Sequence, residues 1–168
     1  MTKLNIVYPH GKMDINIEVF LDTCGVMKFK KLLRIIKMSY TPPMYAKQLK
    51  EYITDYLNVA DDRSAEAINS ARKCENAIEE KEKYLAGLMY KRGEVRATIK
   101  KILSYTTYRS QEFKLTKESE QELTSEINIV RDDLIRLRNK FRTRLNVIKQ
   151  IERNTKNFKK YLELLKDV

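Results

Sequence analysis

The chain has 168 residues, with 34 basic against 23 acidic side chains, a formal net charge of +11 and 42% hydrophobic residues. That hydrophobic share excludes a disordered chain, and a 34% charged fraction suits long solvated helices. Cys24 and Cys74 are the only cysteines, which excludes a disulfide framework; no apolar run is long enough for a signal peptide or a membrane span, so a cytoplasmic setting is expected.

Leu4, Ile6 and Tyr8 alternate with polar residues, as do Met13, Ile15, Ile17 and Val19, on either side of Pro9-His10-Gly11-Lys12. This alternation around a short turn predicts a β-hairpin. Two strands alone are marginal in water, so their apolar face must rest on the helices that follow. Val26, Phe29, Leu32, Leu33 and Ile36 share one helical face, with Lys30, Lys31, Arg34 and Lys37 on the other sides, which predicts a helix from Val26 to Met38. Proline suits the first turn of a helix. A second helix is therefore expected near Pro43, with Tyr45, Leu49, Tyr52, Ile53, Tyr56 and Leu57 along one stripe as core or interface anchors. Residues 1–60 thus form a small α+β head.

Asp61-Asp62-Arg63-Ser64 offers capping oxygens, which predicts a new helix start there. That helix runs to about Leu103, with a seam of Ala67, Ala71, Cys74, Ile78, Leu85, Leu88, Val95, Ile99 and Ile102. Lys81 and Arg92 interrupt the seam, and neighbouring Glu79, Glu80 or Glu82 are the expected partners for such cations. Tyr105 to Leu115 lacks a clear period and reads as a turn, and Ser119 followed by Glu122 is a capping-box pattern. Beyond it Leu123, Ile127, Val130, Leu134, Leu137, Phe141, Ile148, Ile151, Phe158, Leu162 and Leu165 make a heptad seam broken by Arg144 and Thr155.

Two long helices joined by a short connection fold back antiparallel. The charges agree: residues 61–90 carry five basic and seven acidic side chains, whereas 131–168 carry twelve basic and five acidic. An antiparallel register also lays Glu118, Glu120, Glu122 and Glu126 beside Arg96, Lys100 and Lys101. The expected fold is mainly α (α+β): an N-terminal β-hairpin with two short helices, then a long antiparallel coiled-coil helical hairpin over residues 61–168.

Arg136, Arg142, Lys149, Arg153, Lys156 and Lys160 fall on the outward face of the last helix, interleaved with Asn139, Asn146, Gln150 and Asn157. A stripe of long cations and amides with few carboxylates is suited to successive phosphates, whereas a merely solvated surface mixes both signs. Tyr105, Tyr108 and Arg109 at the tip are candidate partner contacts, set against simple packing on Phe113 and Leu115. Ala86, Gly87, Gly93 and Ala97 leave a bare patch around Tyr90, which suits close packing or self-association. His10 stands alone, the four glycines build no phosphate loop, and no spacing suits a metal or a cofactor. No catalytic residue emerges, so an enzyme is not expected.

Three functions follow. The first is a non-enzymatic binding protein whose basic coiled-coil face engages nucleic acid or a nucleoprotein complex through phosphates. The second is a protein-binding inhibitor, of the kind a phage or mobile element uses to block a nucleic-acid enzyme such as a CRISPR effector. The third is a structural coiled-coil spacer or oligomer, a homodimer being its simplest form.

Overall fold

A computed structural model describes residues 2–168. Two antiparallel strands, β1 (Lys3–Tyr8) and β2 (Gly11–Asn16), are followed by four helices: α1 (Ile17–Thr23), α2 (Val26–Lys37), α3 (Pro42–Leu103) and α4 (Gln111–Leu165). The mixed, mainly helical fold with an N-terminal hairpin is as expected from the sequence. Contacts divide the chain into two units, Met1–Ile68 with Asn146–Val168, and Asn69–Leu145, so α3 and α4 contribute to both. The C-terminal stretch of α4 thus completes the head, which an expected boundary at residue 60 had separated from it.

In the first unit, Leu4 pairs with Ile15 and Ile6 with Met13, and Tyr8 faces Gly11 across a two-residue turn. Gly11 has φ +152°, a region L side chains rarely adopt, which is why glycine closes this turn. The second strand ends earlier than its alternation implied. The Asn16 side chain accepts a hydrogen bond from the Val19 N–H and caps α1, so Ile17 and Val19 are helical. The core joins Leu4 and Ile6 to Phe29, Leu32 and Ile36 of α2, Leu49 and Ile53 of α3, and Phe158, Tyr161 and Leu165 of α4. Tyr161 stacks on Phe29 with ring centroids 4.1 Å apart, its hydroxyl donates to the Cys24 carbonyl at 2.8 Å, and burial raises its phenol well above the ordinary range. Tyr45 is buried and Tyr52 and Tyr56 half-buried, as core anchors should be.

The expected helix break at Asp61–Ser64 is absent: α3 runs straight through it. An N-cap needs extended backbone. Here no glycine or proline interrupts residues 44–86, and Ala60, Ala65, Glu66 and Ala67 are strong helix formers, so the aspartates cost only a few tenths of a kcal/mol each in place. Arg63 instead lies over the Tyr56 ring, 5.6 Å from its centroid.

In the second unit the two helices run antiparallel, because their cross-pairs progress in opposite directions: Arg96 with Glu120, Tyr84 with Glu126, Lys81 with Asp133 and Glu82 with Arg138. The core is Leu88, Ile127, Val130 and Leu134, flanked by Ile78, Leu85 and Leu123, all seam positions. Lys81 finds its partner across the hairpin in Asp133, at 3.0 Å, and not in the neighbouring glutamates. Arg144, expected in the seam, is exposed. The last helix also starts earlier than Ser119: the Ser110 hydroxyl accepts from the Phe113 N–H at 3.2 Å, and α4 begins at Gln111.

Glu120 is nearly buried between Lys117, at 2.6 Å, and Arg96, at 2.8 Å. Hydrogen bonds from Lys117 and then Arg96 hold its carboxyl below the ordinary glutamate range. In the unfolded chain the group titrates at its ordinary, higher value. Its contribution to stability is therefore complete above that value and is lost as pH falls through the folded one. Glu120→Gln is expected to lower the melting temperature at about pH 7 and to shrink the loss seen on acidification to about pH 3. A variant that loses as much as the parent over that interval would contradict the ion pairs.

Candidate functional site

All six cations of the outward α4 stripe are exposed. Arg136 and Arg142 belong to the second unit, and Lys149, Arg153, Lys156 and Lys160 to the first. Their surroundings differ. The Arg136 side chain is 83% exposed, with Asp133 one turn away at 4.0 Å. Among the described residues Arg142, Lys149, Lys156 and Lys160 have no carboxylate within 4.0 Å.

Arg153 is anchored. One of its N–H groups donates to the Asp22 main-chain carbonyl at 2.8 Å, while the neighbouring Asn154 amide donates to the Asp22 carboxylate at 2.8 Å. Gln150 in turn donates to the Asn154 side-chain oxygen at 3.0 Å. Gln150 is therefore half-buried, as is Asn157, which removes both from the outward face where sequence spacing put them. Burial holds the Asp22 carboxyl above the ordinary range, and the Asn154 hydrogen bond offsets this only in part. A guanidinium carries five N–H donors, so Arg153 keeps donors free after this contact.

At 100° per residue Lys149, Arg153, Lys156 and Lys160 lie within roughly 60° of one another around the helix and span about 16 Å along it. Lys156 also helps to wall a shallow cleft of about 410 Å³, with Ala60, Asp61, Ser64, Ile151, Glu152, Thr155 and Lys159. Its mixed charges make it a poor seat for a phosphate, so the anion-attracting surface is the four-cation arc itself. No lining group is paired as an acid and base require.

At the connection between the long helices, Tyr108 is 71% exposed and meets Phe113 edge-on at 5.7 Å. Tyr105, also exposed, donates to Glu112 at 3.0 Å, and that hydrogen bond raises its phenol above the ordinary range; Arg109 is exposed beside them. Leu115 is largely exposed. Among the described residues nothing lies within 4 Å of a Cβ placed on Gly87 or Gly93, so no other element packs on these two glycines. Cys24 and Cys74 are buried and free. Among the described residues no cluster of three or more His, Cys, Asp or Glu could hold a metal, and no helix is long and apolar enough to cross a membrane.

No protein-family model, no curated protein and no solved structure matches the chain. Function must be argued from the surface.

The feature that sequence reading missed is the Asp22–Arg153–Asn154–Gln150 network, which orients one stripe residue. Its partners are separated by about 130 positions, and no local pattern joins α1 to α4.

Proposed function

We propose that this is a non-enzymatic binding protein that engages nucleic acid, free or in a nucleoprotein complex, through phosphate contacts made by the outward face of α4. The observation that carries the reading is the arc of Lys149, Arg153, Lys156 and Lys160, three of them unpaired and one braced by the head. A duplex presents roughly ten phosphates over the 16 Å this arc spans, and each one neutralised releases counterions. Such contacts hold a backbone without reading bases. Arg136 and Arg142 are a further pair of exposed cations on the second unit. The buried thiols of Cys24 and Cys74 suit a reducing cytoplasm.

Fluorescence anisotropy with labelled duplex DNA and RNA tests this. Lys149→Glu/Lys156→Glu/Lys160→Glu is expected to weaken binding at least about tenfold, and to lower the log–log salt slope by about 0.9 for each phosphate contact removed. All three side chains are exposed, so the melting temperature should hold. Unchanged affinity removes the α4 face from the account.

A second reading rests on the tip. Tyr105, Tyr108 and Arg109 are exposed and are of the residue types that anchor protein interfaces, as in an inhibitor of a nucleic-acid enzyme. Binding that survives high salt and falls with Tyr108→Ala belongs to this reading.

A further inference from the structure

The most one-sided charge in the head is on α2, which the α4 reading does not use. Its twelve residues carry Lys28, Lys30, Lys31, Arg34 and Lys37 and no acidic side chain. All five are exposed, and among the described residues none has a carboxylate within 4.0 Å. The opposite face, Phe29, Leu32, Leu33 and Ile36, is consumed by the core. The helix is therefore fixed in place with its cationic side outward.

The distribution of these charges around the axis identifies the partner. Taking outward as the direction opposite the core, 100° per residue puts Arg34 and Lys31 roughly 30° to either side of the crest. Lys30 and Lys37 fall on one flank, roughly 70° and 90° away, and Lys28 on the other at roughly 90°. Met27, 76% exposed, and Met38 cap the two ends of the crest, about 16 Å apart. Cations on both flanks match a groove with phosphate on each side. The major groove of B-form DNA, about 12 Å wide, admits a helix about 10–12 Å across.

A membrane surface matches less well. An interfacial helix inserts an apolar face into the headgroup region, and here that face is unavailable to lipid because it is already the core. Single-stranded nucleic acid is favoured by aromatic platforms, and the crest between its two methionines has none. We infer that α2 is a docking helix for double-helical DNA, seated in the major groove with its flanking lysines on the phosphates of both strands. This goes beyond the α4 reading and shares no residue with it.

The test uses the full chain and a random-sequence duplex of about 21 base pairs, two helical turns. Lys28→Gln/Lys30→Gln/Lys37→Gln removes both flanks without touching the core, which unchanged circular dichroism and melting would verify. Affinity is expected to fall at least about tenfold, with a salt slope lower by about 0.9 for each lysine that reached a phosphate. The parent protein should shield guanine N7, a major-groove atom, from dimethyl sulfate, and the variant should not. The Lys149→Glu/Lys156→Glu/Lys160→Glu protein should still give that shielding at saturating concentration, so the two surfaces are judged separately. Equal affinity of the α2 variant, absence of N7 shielding by the parent, or preference for a single-stranded thymidine oligonucleotide overturns the inference. So does preference for phosphatidylcholine vesicles containing one-third phosphatidylserine. Failure of the parent to bind any nucleic acid overturns both surfaces.

Discussion

Tyr161→Ala is expected to remove about 3–5 kcal/mol of stability, the range for truncating a fully buried aromatic side chain. The residue is wholly inaccessible and lies flat on Phe29. Its hydroxyl closes a hydrogen-bonded pair with the main chain and thiol of Cys24. Truncation leaves a ring-sized cavity and an unpaired carbonyl at the end of α1. Tyr161→Phe isolates the second effect: it keeps the stack and orphans the Cys24 carbonyl, for a loss of about 1–3 kcal/mol. Denaturant titration of the three proteins measures both. A Phe variant as damaged as the Ala variant would show that the hydrogen bond, not the stack, holds this corner.

The second large effect is expected at Ile127. It is the one fully buried member of a small cluster whose other buried residues are Leu88, Val130 and Leu134. Ile127→Ala should cost about 2–5 kcal/mol, toward the upper end if the sparse core cannot close around the gap. Because each unit has its own cluster, amide exchange should accelerate around Leu88 and Leu134 after Ile127→Ala, and around Leu4 and Phe29 after Tyr161→Ala. Identical exchange maps for the two variants would mean that the clusters open as one.

The seams were legible because burial along a helix leaves a periodic trace. Ile127, Val130, Leu134, Phe158 and Leu165 were read as inward from spacing alone and are buried. Antiparallel pairing was legible from charge, and Arg96 meets Glu120 as the register implied. Boundaries were less so. Asp61 and Ser110 are both cap-competent residues, yet only Ser110 caps, since capping depends on backbone geometry that tertiary packing decides. Similarly, α1 was hidden because Ile15, Ile17 and Val19 keep a strand-like alternation across the Asn16 cap.

The candidate site was legible as composition and not as architecture. Exposure of Arg142, Lys149, Lys156 and Lys160 followed from their lying opposite the seam. The bracing of Arg153 by Asp22 did not, because a hydrogen bond to a main-chain carbonyl in another element leaves no mark on side-chain spacing. Heptads also look the same whichever partner they meet: Phe158 and Leu165 read as a helix–helix seam, and Phe158 does meet Tyr56 of α3, but the buried cluster they join also takes in the hairpin and α2.

That the head's core is closed by Phe158, Tyr161 and Leu165 orders events on the ribosome. At about 5–20 residues per second, residues 1–68 emerge on the order of 5–20 s before the last of these side chains is made. Throughout that interval Leu4, Ile6 and Phe29 lack the part of their cover that α4 supplies, while residues 69–145 already contain every group their own hairpin needs. Synthesis therefore supplies every group of the second unit's hairpin before Phe158, Tyr161 and Leu165 can complete the core of the first.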